Sequence, residues 1–279
     1  MPRSPRPARP IRRPVPYHTG VAKLDARLSR LAPDWDRPAA RAWCEGLEAA
    51  SRRVPPEDLV YQARNLIFRA RLDGEEVAVK RFPVGPARSL LYRVRATKAV
   101  RAFDHAVRLT ELGVGTPRPL AAVDVRRGGR TIASYLCASF VPDFREARTL
   151  RPPDAPDRAV LLERLGAFVG HLHELGVLHR DLTSGNVLLV PDAARPQGFE
   201  FLLVDLNRMR FGRVGAARGI GNLVQLRLND GGAVLAGYCR ERGLDASTLR
   251  RLYGCRLALR SLKQDLKERT RPWRRRLGL

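Results

Sequence analysis

The sequence predicts an α+β fold in which a small β-containing lobe precedes a larger, mostly helical lobe. Two β-rich runs flank the turn Asp73-Gly74, an arrangement typical of a hairpin. Helical patterns prevail later, first across residues 158–176 and again from Arg210 onward. The 279 residues include 44% hydrophobic residues, a normal fraction for a globular chain, which excludes a disordered basic tail protein.

Two segments precede the predicted β-containing lobe. Residues 1–18 are rich in proline and arginine and contain no acid, which predicts a basic disordered arm. Residues 19–54 predict a helical extension, in which the patterns VAKLDARLSRL and RAWCEGLEAASRR are separated by a turn rich in proline and aspartate. The N-terminus has no apolar run of the kind that a secretory signal peptide requires.

Residues 55–138 form the predicted small lobe. Its hairpin consists of LVYQARNLIFRARL and EEVAVKRFPV on either side of the Asp-Gly turn. The stretch SLLYRVRATKAVRAFDHAVRLTELG follows and predicts one long helix that ends at Gly113. The apolar run TIASYLCASFV predicts the next strand, which leads into the second lobe.

Residues 139–279 form the predicted large lobe. After a proline-rich linker at 151–157, the helix RAVLLERLGAFVGHLHELG leads to a second hairpin, in which NVLLV and FEFLLVDL flank a turn. The last helix is amphipathic and basic, because leucines recur on one face and basic residues on an adjacent face. These residues are Leu252, Leu259, Leu262 and Leu266, with Arg256, Arg260, Lys263 and Lys267.

The net charge of +24 is concentrated at the two ends of the chain. Residues 1–13 carry five arginines without an acid, and residues 250–279 carry eleven basic residues against two acids. The basic, leucine-bearing last helix suits a peripheral site on an anionic membrane surface. The more common interpretation, in which its leucine face packs on its own domain, stays open. We expect no specific nucleic-acid partner, because no zinc-finger or RNP-type pattern occurs.

The most specific motif is HRDLTSGN at residues 179–186, which matches the kinase catalytic-loop pattern H-R-D-L-x-x-x-N at every fixed position. In this pattern Asp181 accepts the proton of the attacking hydroxyl, and Asn186 coordinates a metal ion that neutralises phosphate charge. A loop of this length returns both side chains to one cleft. We therefore predict Asp181 and Asn186 as catalytic residues, with Asn186 also a metal ligand.

Two further charged residues follow apolar strand patterns. Asp205 comes after FLLV, where burying an unpaired carboxylate costs on the order of several kcal/mol and a metal ion compensates. Lys80 ends VAVK, which is close to the kinase pattern V-A-I-K. Only five of the 52 basic residues are lysines, so a lysine at this position is informative. A lysine directed inward from a strand is costly to bury unless it meets an anion, such as the phosphates of a nucleotide. We predict Lys80 as a catalytic, phosphate-binding residue and Asp205 as a metal ligand.

Other candidate residues depend on these two. A kinase lysine of this type needs an acidic partner on the following helix, and Asp104 lies mid-helix there. The alternative, in which Asp104 pairs with a neighbouring arginine on the helix surface, stays open. The position between the first two strands has QARN in place of a glycine-rich loop, and we predict that Arg64 and Asn65 contact phosphate there.

Taken together, Lys80, the loop 179–186 and Asp205 resemble the protein-kinase-like superfamily. The segments DLNRMRF at 205–211 and GVGTPRP at 113–119 resemble the lipopolysaccharide kinase (Kdo/WaaP) family, which phosphorylates inner-core sugars of the oligosaccharide linked to lipid A. The resemblance covers about residues 55–230 and implies a bilobal protein-kinase-like fold.

The resemblance also implies ATP and Mg²⁺, with a sugar hydroxyl on an anionic glycolipid, the lipid A-core, as the acceptor. It gives the predicted site residues the roles stated above and places the adenine-binding hinge at Ser139, Phe140 and Val141. We expect a cytoplasmic protein, peripheral on the cytoplasmic face of the inner membrane, because no apolar run approaches the roughly 18 residues of a membrane span.

Other functions stay open. Thr183 stands where serine/threonine protein kinases carry a lysine, and no A-P-E triplet follows Asp205, which disfavours a protein acceptor. An atypical bacterial serine/threonine protein kinase and a small-molecule phosphotransferase of the aminoglycoside type are the alternatives with the same fold. Arg180 disfavours the second of these. A pseudokinase or a basic RNA-binding protein is the alternative from another class.

Overall fold

A computed structural model of the protein describes residues 24–155, 157–194, 198–228 and 231–276. Its N-terminal part is built on one antiparallel sheet of six strands, in the order β1-β5-β6-β4-β3-β2, with the bounds that follow. These are β1 (Leu24–Leu31), β2 (Leu59–Gln62), β3 (Leu66–Leu72), β4 (Glu75–Pro83), β5 (Pro119–Arg127) and β6 (Arg130–Ser139). The predicted hairpin is β3 and β4, because Asp73 and Gly74 adopt the positive φ angles of 51° and 82° that a two-residue turn requires.

Helices cover both faces of this sheet. They are α1 (Pro38–Ala50), α2 (Pro86–Leu91) and α3 (Lys98–Glu111). Adjacent residues of β4 show the two faces, since successive side chains of a strand point in opposite directions. Arg81 pairs with Glu48 of α1 at 3.4 Å, whereas the Phe82 ring lies 5.6 Å from the Nζ of Lys98 in α3.

The C-terminal part is mostly helical. Its helices are α4 (Arg158–Glu174), α5 (Ala216–Leu223), α6 (Gly231–Glu241) and α7 (Ala246–Arg276), and its short strands are β7 (Arg145–Glu146), β8 (Val177–Leu178), β9 (Val187–Pro191), β10 (Phe199–Leu203) and β11 (Arg210–Phe211). β9 and β10 form the second predicted hairpin. The buried hydrophobic residues form two clusters, one centred in each part of the chain. The predicted α+β fold, with a β-rich lobe before a helical one, is confirmed.

The predicted helical extension, residues 19–54, is wrong at its start. Leu24–Leu31 is strand β1, which pairs with β5 from Leu24 opposite Arg127 to Leu31 opposite Ala121. The backbone hydrogen bonds gained along the free edge of β5 outweigh the helical spacing of the leucines. The second half of the extension is helical, as predicted, and forms α1. The predicted arm, residues 1–18, lies outside the described residues.

The helix predicted across residues 89–113 is divided into α2 and α3. Thr97 is the N-cap of α3, and its side-chain oxygen accepts a hydrogen bond from Val100 N at 3.3 Å. Capping a free amide of the first turn in this way begins a new helix. Strand β5 is absent from the sequence prediction, because a short apolar run such as PLAAV does not distinguish strand from helix by periodicity.

Helix α7 confirms that the last segment is helical, as predicted. Of the side chains that the structure describes in this helix, only those in its first part are buried against the rest of the protein. Leu249 and Tyr253 are buried in the core of the helical part, whereas Leu259 and Leu262 are 54% and 59% exposed. The side chains of Lys263, Leu266 and Lys267 lie outside the described part. Among the helices that the structure describes, each is too short or too polar to cross a membrane.

Helices α4 and α6 cross with glycines at their contact, which gives a first stability prediction. A Cβ atom on Gly237 of α6 would overlap the carbonyl group of Glu163 in α4. We expect Gly237→Ala to lower the free energy of unfolding by about 3 kcal/mol, since the two backbones must separate. The control is Gly46→Ala in the exposed face of α1, where no atom lies within 4 Å of the new Cβ.

The control should act in the opposite direction, because alanine is preferred over glycine in an open helix position by about 1 kcal/mol. Urea unfolding of both variants measures the two changes. Equal destabilisation by the two substitutions would contradict close packing at the crossing of α4 and α6.

Candidate active site

The candidate site lies where the sheet meets the helical part. Lys80 projects from β4, and Asp205 comes two residues after the end of β10. The Nζ of Lys80 donates to Oδ1 of Asp205 at 2.9 Å, and the two side chains are 17% and 27% exposed. A largely buried ion pair thus joins two residues that the sequence selects independently, from opposite lobes.

Asp205 has an unusual backbone conformation. Its φ and ψ angles are 62° and 47°, in the left-handed region that costs a non-glycine residue on the order of 1 kcal/mol. The Nδ2 of Asn207 donates to its Oδ1 at 2.6 Å. Burial favours a higher pKa for the Asp205 carboxyl, but the charge and hydrogen bond of Lys80 outweigh it and hold the pKa below its usual value. Asp205 therefore stays ionised, as a ligand for a cation must be.

His179 fixes the catalytic loop to the strand that leads to Asp205. Its ring is 1% exposed, and Nε2 donates to the carbonyl of Val204 at 3.0 Å. Nδ1 then accepts from the backbone N–H of Asp181 at 3.3 Å. Burial lowers the pKa of His179, so the ring is neutral and carries its hydrogen on Nε2. The histidine thereby positions Asp181 relative to Asp205.

Asn186 lies at the other end of the loop and fits a metal site with Asp205. Its Nδ2 donates to the backbone carbonyl of Asp181 at 2.8 Å, so Oδ1 is the atom that can ligate a cation. Its own carbonyl accepts from Val204 N at 3.1 Å, beside Asp205. Carboxylate and amide oxygens are ligands that Mg²⁺ accepts. The described residues hold no group of three or more His, Cys, Asp and Glu suited to a metal ion.

Asp104 is wrong as the partner of Lys80. It lies on the exposed face of α3, where both carboxylate oxygens accept from Arg30 at 2.7 and 3.2 Å. Arg30 belongs to β1, so the error has the same origin as the helix predicted for that segment. Helix α3 reaches the site through His105, whose Nδ1 lies 2.7 Å from the carbonyl of Leu206.

A second lysine lies near Asp205. The Nζ atoms of Lys80 and Lys98 lie 5.3 and 5.6 Å from the centre of the same Phe82 ring. Burial and the positive charge of Arg88 lower the pKa of Lys98, and the attraction of Asp205 opposes that shift. The positive charges of Lys80 and Lys98 thus both lower the pKa of the Asp205 carboxyl. The sequence reasoning missed Lys98, although the scarcity of lysine was a signal that could have found it.

The predicted hinge follows β6. Ser139 N donates to the carbonyl of Arg118, and Phe140 N donates to that of Glu76, both at 2.9 Å. These two amides donate within the protein, so neither is free to donate to an adenine ring. The hinge role of Ser139, Phe140 and Val141 stays a prediction.

The loop predicted to contact phosphate closes β2 and β3. Ala63 N donates to the carbonyl of Asn65 at 3.0 Å, and Arg64 is exposed. Ile67, two residues further on, lies opposite Lys80 in the pairing of β3 and β4. The loop therefore stands at the level of Lys80 in the sheet. Phosphate contact by Arg64 and Asn65 stays a prediction.

The segment GVGTPRP supports the strand that presents Asp205. Gly115 O accepts from Leu203 N at 2.9 Å, and the Thr116 hydroxyl donates to Leu203 O at 2.9 Å. A Cβ atom on Gly115 would come within 2.7 Å of the Phe201 carbonyl, so glycine is required for this approach. The segment GVGTPRP therefore holds β10, and with it the start of the turn that presents Asp205, in position.

A buried hydrogen-bonded chain connects α4 with the catalytic loop. The Nε2 of His173 donates to Oδ1 of Asn222 at 3.1 Å, and Nδ2 of Asn222 donates to the carbonyl of His179 at 2.8 Å. His173 is 2% exposed. His171, two residues earlier, is exposed and lies 3.5 Å from Glu241. The i, i+2 spacing of the two histidines predicts that they face different directions, and the structure confirms it.

We expect the free energy of unfolding to fall as the pH drops from about 6.5 to about 4, because burial lowers the pKa of His173 from 6.5 to about 4. In this range the unfolded chain binds a proton that the folded protein does not, so the stability present above pH 6.5 is lost on acidification. The loss is on the order of 3 kcal/mol. Urea unfolding at several pH values measures it. His173→Gln should remove this part of the pH dependence, and an unchanged slope in the variant would contradict the assignment.

Part of the chain is similar in sequence to a known family and to curated proteins. Residues 74–227 match the sequence model of the lipopolysaccharide kinase (Kdo/WaaP) family. Over 94 residues the chain is 30% identical to the 3-deoxy-D-manno-octulosonic acid kinase of Vibrio vulnificus (strain YJ016), covering 34% of the chain and 39% of that protein. Over 135 residues it is 33% identical to "Putative cyclin-dependent kinase F-2" of Oryza sativa subsp. japonica, covering 45% of the chain and 38% of that protein. The matched part thus spans well under half of these curated relatives.

A solved structure titled "WaaP in complex with acyl carrier protein" resembles most of the fold. The match covers 86% of this chain and 98% of that one, with a TM-score of 0.54 and 20% sequence identity. At this identity the likeness shows the fold, and the bilobal kinase-like prediction is confirmed.

Proposed function

The chain belongs to the lipopolysaccharide kinase (Kdo/WaaP) family, and we propose that it transfers the γ-phosphoryl group of ATP to a sugar hydroxyl of the lipopolysaccharide inner core, on Kdo or heptose. The observation that carries the proposal is the ion pair of Lys80 with Asp205, joined through Val204 to the loop of Asp181 and Asn186. We assign residues 55–138 to the nucleotide-binding lobe and residues 139–279 to the acceptor lobe.

In the proposed reaction Asp181 receives the proton of the sugar hydroxyl. The hydroxyl oxygen forms a bond to the γ-phosphorus while the bond to the bridging oxygen breaks, and ADP leaves. Asp181 suits this role because its side chain is 38% exposed, within reach of an acceptor, and its backbone is fixed by His179.

The phosphates and the metal ion belong to the other residues of the site. Lys80, with Lys98 beside it, supplies positive charge for the phosphates of ATP. Asp205 and Asn186 supply the oxygen ligands for Mg²⁺, which when bound neutralises the negative charge of the phosphates. Lys80 and Asp205 form an ion pair with each other, so neither charge is buried without a partner.

A protein acceptor is the second candidate, favoured by the 33% identity to the rice protein named as a cyclin-dependent kinase. Thr183 opposes it, because it occupies the position of the lysine in serine/threonine protein kinases. The test incubates the purified chain with Mg²⁺ and ATP labelled in the γ-phosphate, and offers a Kdo-bearing lipid A precursor and a protein substrate in parallel. Label in the glycolipid supports the proposal, and label in protein alone would overturn it.

We also propose that α7 binds an anionic membrane surface, where the lipid-linked acceptor resides. The exposed Leu259 and Leu262 offer apolar contact, and the basic residues of 250–279 attract anionic lipid. Removing residues 268–279 should reduce binding to phosphatidylglycerol vesicles strongly at low salt and weakly at high salt, since salt screens the charges. Vesicle sedimentation measures it.

A matched variant separates the apolar contribution from the charges. The double substitution Leu259→Gln and Leu262→Gln should lower vesicle binding by a similar factor at both salt concentrations, because the hydrophobic contribution is not screened. Unchanged partitioning of both variants would mean that α7 has no membrane role.

A further inference from the structure

Two arginines interact with the carboxylate of Asp181, and a third lies near one of them. The nearest is Arg208, in the turn after Asp205, whose Nη1 lies 3.4 Å from Oδ2 of Asp181. The arginine side chain is 64% exposed, so its other N–H groups face solvent. An exposed pair at this distance is weak and readily exchanges for a better partner. Arg208 therefore stands beside the predicted base with most of its hydrogen-bonding capacity unused.

A second arginine reaches this region through a separate segment. Gln225 Oε1 accepts from the backbone N–H of Leu182 at 3.1 Å, which ties residues 224–226 to the catalytic loop. Arg227 follows directly and is exposed, with a φ angle of 54°. This left-handed conformation costs an arginine on the order of 1 kcal/mol. The backbone bends at this point, immediately after its attachment to the loop of Asp181.

The third arginine comes from α7, which packs on the residues 224–226. Arg260 is half-buried, and its electrostatic neighbours are Arg227, which repels it, and Asp181, which attracts it. Burial is the larger effect and lowers the pKa of Arg260. Helix α7 thus places the charge of Arg260 near Asp181, in addition to presenting a basic surface.

These arginines leave an excess of positive charge at one carboxylate. Among the residues that the structure describes, neither Arg227 nor Arg260 lies within ion-pair distance of an acid, and they repel each other. The cations also divide into two groups. Lys80 and Lys98 act on Asp205, whereas Arg208 and Arg260 act on Asp181. Lys80 and Lys98 lie where the phosphates of ATP are proposed to bind. The arginines near Asp181 are therefore available to bind a different anion.

We propose that Arg208, Arg227 and Arg260 form a binding site for an oxyanion of the acceptor, so that the phosphorylated sugar carries a carboxylate or phosphate group close to its reacting hydroxyl. The inference rests on the proposed function and narrows its acceptor to an acidic sugar. Guanidinium groups suit this task, since each can bind two oxygens of a carboxylate or phosphate in one plane. The oxyanion relieves the repulsion among the arginines and frees Asp181 from Arg208 to accept the hydroxyl proton.

The test measures acceptor binding in the presence of Mg²⁺ and a non-hydrolysable ATP analogue, by calorimetry on the full chain. The probes are the methyl glycoside of Kdo and its carboxyl methyl ester, and heptose with and without a phosphate group. We expect the anionic member of at least one pair to bind about tenfold more tightly. Whichever pair shows the difference identifies carboxylate or phosphate as the group bound.

The variants locate the site. Arg260→Gln keeps the helix propensity, and Arg227→Asn keeps a residue that tolerates the left-handed conformation. Each should weaken binding of the anionic probe about tenfold and leave the neutral probe unchanged. The control is Arg251→Gln, an exposed arginine nine residues before Arg260 and therefore on the opposite side of α7.

Nucleotide affinity, measured in the same samples, separates this inference from the proposed function. Equal binding of the anionic and neutral members of both pairs, with nucleotide binding intact, would overturn the arginine site alone. Weakening by Arg251→Gln equal to that by Arg260→Gln, or loss of nucleotide rather than acceptor affinity in the arginine variants, would also overturn it. Absence of nucleotide binding in the wild-type protein would instead refute the proposed function.

Discussion

Asp181→Asn lowers the rate of phosphoryl transfer about 10³-fold and leaves the affinity for Mg-ATP within a factor of two, if Asp181 is the base. The substitution keeps the shape of the side chain and removes the group that takes the hydroxyl proton, which is worth a factor of about 10²–10⁴. Nucleotide binding depends on Lys80 and Asp205, which this substitution leaves in place. Single-turnover transfer from labelled ATP measures the rate, and calorimetry measures the affinity.

The matched control is Asp104→Asn. Asp104 forms a surface ion pair with Arg30, on the outer side of α3, and such pairs contribute about 0–1 kcal/mol to stability. We expect its transfer rate to equal that of the wild type. If Asp181→Asn lost nucleotide binding and transfer in equal measure, Asp181 would support the fold rather than the chemistry.

The second large effect concerns Asp205. At a Mg-ATP concentration 100 times Kd, binding should raise the free energy of unfolding of the wild type by about 2.7 kcal/mol. Asp205→Ala should abolish the part of this increase that requires Mg²⁺, because the carboxylate ligand is gone. Each variant is compared with itself with and without Mg²⁺, so the stability lost by leaving Lys80 unpaired cancels.

Lys80→Met distinguishes the metal ligand from the phosphate-binding residue. It should weaken nucleotide binding both with and without Mg²⁺, since Lys80 contacts phosphate directly in our proposal. Identical responses of wild type and Asp205→Ala to Mg²⁺ would show that Asp205 does not hold the metal ion.

The hairpins and the catalytic loop could be predicted because their signals are local. The Asp73-Gly74 turn requires positive φ angles that few residues adopt, and the HRDLTSGN loop contains its own hydrogen bonds, such as that from Asn186 to Asp181. Lys80 and Asp205 were predictable individually from strand context. Their direct contact was not, because it depends on how the two lobes meet.

The errors share a cause in tertiary structure. Leucines at helical spacing in residues 24–31 predict a helix, yet the free edge of β5 makes that segment a strand and brings Arg30 to Asp104. Likewise, Arg208, Arg227 and Arg260 are far apart in the sequence and ordinary in a chain rich in arginine. Arg208 contacts Asp181 from the turn after Asp205, and the packing of α7 on residues 224–226 places Arg260 near both Arg227 and Asp181. The sequence alone does not indicate these proximities.

Mass spectrometry of the lipid A-core from cells with and without the protein tests the central claim most directly. Cells that make the wild-type chain should carry one additional phosphate on an inner-core sugar, and cells that make Asp181→Asn at equal abundance should lack it. Identical lipid A-core masses in all three strains would contradict the assignment of this chain as a kinase of the lipopolysaccharide inner core.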